Sequence, residues 1–261
     1  MNVDVVFLHG WLMGPDLWTQ QVAALDGIAA AHPLPAPAHG APAPAGGFDM
    51  AAWAAGVIEE LDRRNVGRAV FVGHSMGGFL AQQIWRDHPA RVAGIGLIGI
   101  TEQPATAEDR AQFIDLNERI ARDWRAMAEI VRPLLVGDQL VSSQPDWVDR
   151  WIERVERDYD LAGMVPLAAA VTARPDYTPT TSQIDVPTVV VHGTDDRAIP
   201  VGFGRRLAAL IPGAELSVLD DCGHAAPLEQ PAAVSKALRS LIGRVAADPT
   251  SESAISRAGL V

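Results

Sequence analysis

The run Val70-Phe71-Val72-Gly73-His74-Ser75-Met76-Gly77-Gly78 decides the reading of this chain. Its first residues are β-branched and aromatic, as in a short buried strand. A glycine-flanked turn follows with one serine at its tip, and a helical pattern begins after it. G-x-S-x-G in that setting is a nucleophile elbow, here Gly73-His74-Ser75-Met76-Gly77. The tight turn strains the backbone of Ser75 and lifts its hydroxyl above the sheet edge. A side chain at either flanking glycine would crowd the turn. The same turn aims the backbone N–H of Met76 at the place where a substrate oxyanion forms. The plainer reading is a strand, a turn and a helix capped by its serine. Context separates the two: a strand before, a helix after, then an acid and a histidine.

The local context fits. Ala69 to Val72 is an apolar run between Arg68 and Gly73, and Phe79, Leu80, Gln83, Ile84 and Asp87 keep helical spacing up to Pro89. Further strands are expected at Val3–Leu8, Ile28–Leu34, Arg68–Val72, Val92–Ile98, Thr188–His192 and Glu215–Leu219. Helical patterns alternate with them. Met50, Trp53, Ala54, Val57, Ile58 and Leu61 share one face, with Asp49 as the cap. Phe203, Leu207, Leu210 and Ile211 make another helix, and Val234, Leu238, Leu241 and Ile242 a last one. The alternation predicts an α/β fold, a mostly parallel central sheet with helices on both faces. In such sheets function sits at the carboxyl ends of the strands.

One stretch breaks the alternation. Residues 104–183 offer no convincing strand, and read as a helical cap inserted into a core of 1–103 and 184–247. Its helices are marked by Phe113, Leu116 and Ile120, by Trp124, Met127, Ile130 and Val131, and by Trp147, Val148, Trp151 and Val155. Pro33 to Gly47 reads as a loop, and 248–261 as a loosely attached tail.

Composition narrows the function. The 261 residues, 48% hydrophobic, suffice for one large domain with an insertion. A formal net charge of −11 argues against a nucleic-acid partner. The single cysteine, Cys222, allows no internal disulfide and suits a reducing compartment. No apolar run is long enough to span a bilayer, and no basic leader precedes the first strand. A cytoplasmic protein without a membrane partner is expected, acting on a small molecule. Neither metal-ligand spacing nor a phosphate-binding glycine loop occurs, so no metal and no cofactor is expected.

A serine hydroxyl needs a base to take its proton and a third group to orient that base. The strand at Val189 to His192 runs into Gly193-Thr194-Asp195-Asp196-Arg197-Ala198-Ile199-Pro200. The strand at Leu216 to Leu219 runs into Asp220-Asp221-Cys222-Gly223-His224. Serine, acid and histidine then follow in the chain order that such an elbow requires. Asp196 is the preferred acid. Asp195, Asp220 and Asp221 suit backbone bonds in their own turns, and Glu102 after the fourth strand is a minor alternative. His224 is the preferred base. His74 is expected to pack or bond beside the serine and His192 to be structural, with His32, His39 and His88 on the surface or in loops. A second oxyanion donor is expected from the exit of the first strand, Leu8-His9-Gly10-Trp11, as the backbone N–H of Trp11.

With these motifs in view, the chain resembles the α/β-hydrolase superfamily, in its serine-nucleophile branch of esterases, lactonases and carbon–carbon hydrolases. The resemblance covers about Val3 to Ile100 and Pro187 to Ala246, and rests on His9-Gly10-Trp11, the elbow, Gly193 to Pro200, and Cys222 to Pro231. It implies Ser75 as nucleophile, Asp196 as acid, His224 as base, and the N–H groups of Trp11 and Met76 as oxyanion hole. Serine at position 75 disfavours the aspartate-nucleophile branches. Two departures stand out. The loop after the second strand keeps only His39-Gly40 of the aspartate and two glycines frequent in relatives, and the usual leading hairpin is absent or reduced.

The implied reaction is carboxylesterase-like hydrolysis of a small ester or lactone through an acyl-enzyme. Carbon–carbon cleavage of ring-fission products, and a hydrolase-fold binder with little turnover, are the alternatives. Phe79, Met127, Leu135, Trp147 and Met164 are candidate pocket residues, together with Trp11 and Leu134. Arg110, Arg122 and Arg125 are candidates for a carboxylate, though solvated helix faces explain them equally.

Overall fold

The computed structural model describes residues 3–43 and 46–247. The expected tail at 248–261 lies outside them. Among the described residues the chain forms β1 (Val3–Leu8), β2 (Ala29–Leu34), β3 (Ala69–His74), β4 (Val92–Ile98), β5 (Thr188–Gly193) and β6 (Glu215–Leu219). They make one sheet in the order β2-β1-β3-β4-β5-β6, with every neighbouring pair parallel. Each strand lies where the sequence puts it. The ends differ where pairing outlasts the apolar run: Gly73 and His74 still pair with Leu97 and Ile98, and Gly193 with Leu219. β3 and β5 are buried along their whole length, which their near-continuous apolar sequence requires. Pro33 interrupts β2, a substitution for a ladder donor that only an edge strand tolerates.

Helices cover the sheet. α1 (Thr19–Ala24), α2 (Met50–Arg63) and α3 (Met76–Asp87) precede β4. α4 (Ala107–Arg122), α5 (Trp124–Leu135), α6 (Asp138–Ser143), α7 (Asp146–Asp158), α8 (Met164–Thr172) and α9 (Thr178–Thr181) lie between β4 and β5. α10 (Val201–Leu210), α11 (Ala226–Glu229) and α12 (Pro231–Ala247) complete the described residues. α3 packs on β1, β3 and β4 with α2 against it, and α12 packs on β1, β4 and β5 with α1 beside it. In α2 the Asp49 carboxylate accepts the Ala52 N–H at 2.7 Å, and the expected apolar face is buried.

α1, α6, α9 and α11 are too short to carry a period, and α8 is buried over most of its surface; none of these stood out in the sequence. On α5 the buried stripe is Trp124, Met127, Ala128, Val131 and Leu135. Ile130, expected on that face, sits about a third of a turn round from its centre and is exposed, as is Leu134. The helices between β4 and β5 lead back to β5 along α3, where the Tyr177 hydroxyl donates to Gln83 Oε1 at 2.7 Å and the Trp85 indole to the Thr180 carbonyl at 3.1 Å.

Strand order reverses between β1 and β3: the chain leaves β1 for β2 on one side and then crosses to β3 on the other. A crevice therefore opens at the carboxyl ends of β1 and β3. It stays tight because α3 starts against β1. A methyl group at Gly77 would lie 2.2 Å from the Leu8 carbonyl oxygen, so only glycine fits. Gly77→Ala should lower stability by at least about 1–3 kcal/mol, the usual cost of overpacking. A urea midpoint equal to wild type would refute this seating of α3.

Candidate active site

Ser75 follows β3 and caps α3 with φ +50° and ψ −118°, a conformation rare for a residue with a side chain. Its N–H donates to the Ile98 carbonyl at 2.9 Å, and its carbonyl accepts from Gly78 and Phe79 at 2.8 and 3.1 Å. These bonds hold the strain locally and leave the side chain half-buried. The β1 exit comes close: a Cβ at Gly10 would lie 3.3 Å from Ser75 Cβ and 2.5 Å from His74 Nδ1. The next residue, Trp11, and Met76 at the head of α3 present backbone N–H groups with no acceptor among the described residues.

The ends of β5 and β6 supply the second part. His224 Nδ1 donates to Asp196 Oδ2 at 2.8 Å, and both side chains are buried. An ionised carboxylate only accepts, so His224 Nδ1 carries a proton, and in the neutral ring Nε2 then holds the lone pair. Asp196 Oδ1 accepts from the amides of Ala198 and Ile199 at 2.9 and 2.8 Å, and His192 Nε2 lies 3.3 Å from Oδ2. Burial opposes the charge on Asp196. The His224 ring, together with bonds from His192 and the Ile199 amide, outweighs it and holds the carboxyl well below its ordinary range.

The other acidic candidates are placed elsewhere. Asp195, Asp220 and Asp221 are exposed. Glu102 is buried but pairs with Arg206 Nε at 2.6 Å rather than with His224.

The remaining histidines are neutral scaffolding in part and surface groups only in part. His74 lies against the His224 ring, centroids 4.8 Å apart, and Nε2 donates to the His224 carbonyl at 2.9 Å. His32 is in β2 and pairs with Asp4 at 2.8 Å. His39, expected at the surface or in a loop, is in a loop but fully buried. Its Nδ1 donates to the Pro37 carbonyl at 2.9 Å, which leaves Nε2 to accept the Leu12 N–H at 3.0 Å. His9 mirrors it: Nδ1 donates to the Gly10 carbonyl and Nε2 accepts the Ala36 N–H, both at 2.9 Å. The loops after β1 and β2 are thus bonded to each other in both directions. Burial depresses all three rings, to a pKa of about 3 for His9 and His74 and about 4 for His39.

One residue at this site gave no sequence signal as a functional group. Glu229 Oε2 accepts the Gly223 N–H at 2.8 Å and Oε1 the Ala225 N–H at 3.2 Å, so it brackets His224. The Gly137 amide, between α5 and α6, also favours its charge, while burial pushes its pKa up. Only its place five residues after the histidine hinted at it.

Of the apolar candidates, Phe79 lies on the first turn of α3 and carries the Arg174 guanidinium 3.8 Å above its ring centre. Met127, Leu135 and Met164 are buried, and half-buried Trp147 stacks on Trp151 at 5.7 Å. Arg110, Arg122 and Arg125 are exposed, and Arg125 pairs with Glu156. Leu134 lies on the open side of α5.

A profile described as the alpha/beta hydrolase family matches residues 5–237. The protein belongs to the alpha/beta hydrolase family. Within it, the chain is 28% identical over 243 residues to a pimeloyl-[acyl-carrier protein] methyl ester esterase of Aromatoleum aromaticum, covering 87% of this chain and 93% of the relative. It is 31% identical to a 2-hydroxy-6-oxononadienedioate/2-hydroxy-6-oxononatrienedioate hydrolase of Cupriavidus pinatubonensis, over 72% of this chain and 65% of that relative. An esterase structure from Thermogutta terrifontis superposes with a TM-score of 0.86 at 24% identity, over 94% of this chain and 91% of that one. That likeness establishes the shared fold. Among the described residues, no helix of this hydrolase-family chain is long and apolar enough to cross a membrane.

The buried rings of His9, His39 and His74 make stability depend on pH. Each titrates near 6.5 when unfolded and near 3 to 4 when folded, so the unfolded chain binds more protons between those values. Stability should therefore fall as pH drops below about 6.5, by up to roughly 1.4 kcal/mol per pH unit for each ring. Urea midpoints at pH 7, 6 and 5 measure this, and His39→Gln should flatten the slope by about one proton's share. Equal midpoints across the series would show that these rings do not stay neutral.

Proposed function

We propose that this protein is a serine hydrolase that cleaves a small carboxylic ester or lactone through an acyl-enzyme. The bond from His224 Nδ1 to Asp196, with the His224 ring packed on His74 next to Ser75 in the chain, carries the reading. In it, His224 Nε2 removes the Ser75 proton as the oxygen attacks the substrate carbonyl. The carbonyl electrons move onto oxygen, which accepts from the N–H groups of Trp11 and Met76. His224 then gives its proton to the leaving alcohol, and the acyl group stays on Ser75. Water, deprotonated by the same imidazole, attacks the acyl carbon, the Ser75 oxygen departs and takes that proton back from His224, and the acid is released. Asp196 keeps the imidazole in the right tautomer and stabilises it when charged. Each oxyanion donor is worth on the order of 3 kcal/mol.

Phe79, Met127, Leu135, Trp147 and Met164 are proposed to form the apolar side of the acyl pocket, within a cap of residues 104–183. The identity to the Cupriavidus relative favours a second reading, carbon–carbon bond hydrolysis, which needs a cation for a substrate carboxylate. Arg174 is our candidate for it: its guanidinium stacks over Phe79 and donates to the Val171 and Gln103 carbonyls, while Nε has no acceptor among the described residues. A family member that binds its ligand with little turnover is the remaining alternative.

Ser75→Ala should cut hydrolysis of short p-nitrophenyl esters by about 10³-fold or more without changing the fold, and Asp196→Asn by on the order of 10³–10⁴. Retained activity in the alanine variant would overturn the proposal. A fluorophosphonate probe that failed to label wild-type Ser75 would favour the inert binder. Faster turnover of a ring-cleavage dienoate than of any ester, lost in Arg174→Gln, would select the second reading.

A further inference from the structure

Leu12 follows Trp11 in the turn after β1 and has φ +57°, in the left-handed region although it carries a branched side chain. That conformation is unfavourable for an L residue with a side chain and needs outside support. Both of its backbone groups receive it from side chains. Its N–H donates to His39 Nε2 at 3.0 Å, and its carbonyl accepts from the Trp151 indole at 3.0 Å. Trp151 belongs to α7 and is buried between Trp124, edge-on at 5.0 Å, and Trp147, stacked at 5.7 Å.

Trp11 is held in a similar way. Its indole donates to Asn117 Oδ1 on α4 at 2.9 Å, and its ring meets Phe113 edge-on at 4.9 Å. The Asn117 amide is itself oriented, since Nδ2 donates to the Phe113 carbonyl at 2.8 Å. Two consecutive residues of the β1 turn are therefore bonded to two separate helices of the insert. The backbone N–H of Trp11 lies in the same turn, just before both anchors, and has no acceptor among the described residues.

We infer that Trp151 and Asn117 are positioning residues that set the direction of the Trp11 N–H, so that the oxyanion site is complete only with the inserted helices seated on the core. The inference rests on the serine-hydrolase reading. An oxyanion donor helps only if it is aimed before the charge develops. A turn held by the insert is aimed when the insert is in place and loses its aim when the insert lifts. The helices that shape the substrate space thereby also govern the chemical step.

Trp151→Phe tests this, because it keeps an aromatic ring and removes only the N–H donor. With p-nitrophenyl acetate, kcat should fall about 10-fold while KM stays within about 2-fold, as expected for one buried hydrogen bond expressed in the transition state. The inhibition constant for phenylboronic acid, whose serine adduct places an oxygen in the oxyanion site, should weaken by the same factor. A packing role alone would not move kcat and boronate affinity together at constant KM. Wild-type kcat and boronate affinity in folded Trp151→Phe would overturn the inference. If that variant does not fold, Asn117→Leu reads the same two quantities from the other helix, with the same outcomes. Activity retained by Ser75→Ala would instead overturn the hydrolase reading. An inactive Ser75→Ala beside an unchanged Trp151→Phe would overturn this inference alone.

Discussion

The left-handed backbone of Ser75 is the constraint on which the rest depends. A serine has no intrinsic reason to remain at φ +50°, so the surroundings must prevent its relaxation. They do so by pairing. β3 continues through His74, the Ser75 amide joins the β4 ladder at Ile98, and α3 begins at once with its first carbonyl bonds to Ser75. Gly77 brings that helix against the Leu8 carbonyl, which draws the end of β1 toward the serine. One strained residue thus fixes the spacing between the exits of the first and third strands.

The second requirement is to keep polar groups in a dry place without leaving them orphaned. Asp196 stays charged because two amides and two imidazoles surround it. His9, His39 and His74 stay neutral because burial disfavours the cation and backbone groups use their ring nitrogens. Glu229 is a third solution, a carboxylate bonded to the amides on both sides of His224. The crevice is therefore a set of loops tied together by side chains, with the sheet as the frame.

Much of this was legible in the sequence, where the signal is local. β3 and β5 show as runs of valine and phenylalanine because both of their faces are buried. The face of α2 shows because one helix side meets the core. The meeting of Asp196 and His224 could be anticipated because each follows a strand of one parallel sheet. The illegible parts depend on distant partners. Nothing near His39 says that its ring accepts from an amide twenty-seven residues earlier. Nothing near Trp151 says that its indole reaches Leu12, since tryptophan at that spacing already accounts for a helix face. α8 escaped because a helix buried over most of its surface has no polar side to mark the period.

The two histidines that join the first loops carry a further chemical meaning. Their ring centres are 5.4 Å apart, close enough to suggest a pair of ligands awaiting a metal ion. Each ring, however, is engaged at both nitrogens. Its Nδ1 proton goes to a carbonyl and its Nε2 lone pair accepts a backbone amide. A metal ion would have to take a lone pair from one of those amides, which would be left unpaired in a buried loop. The imidazoles here thus serve as interchain-like pegs between two segments of one backbone, doing with ring nitrogens what a strand pair does with peptide groups.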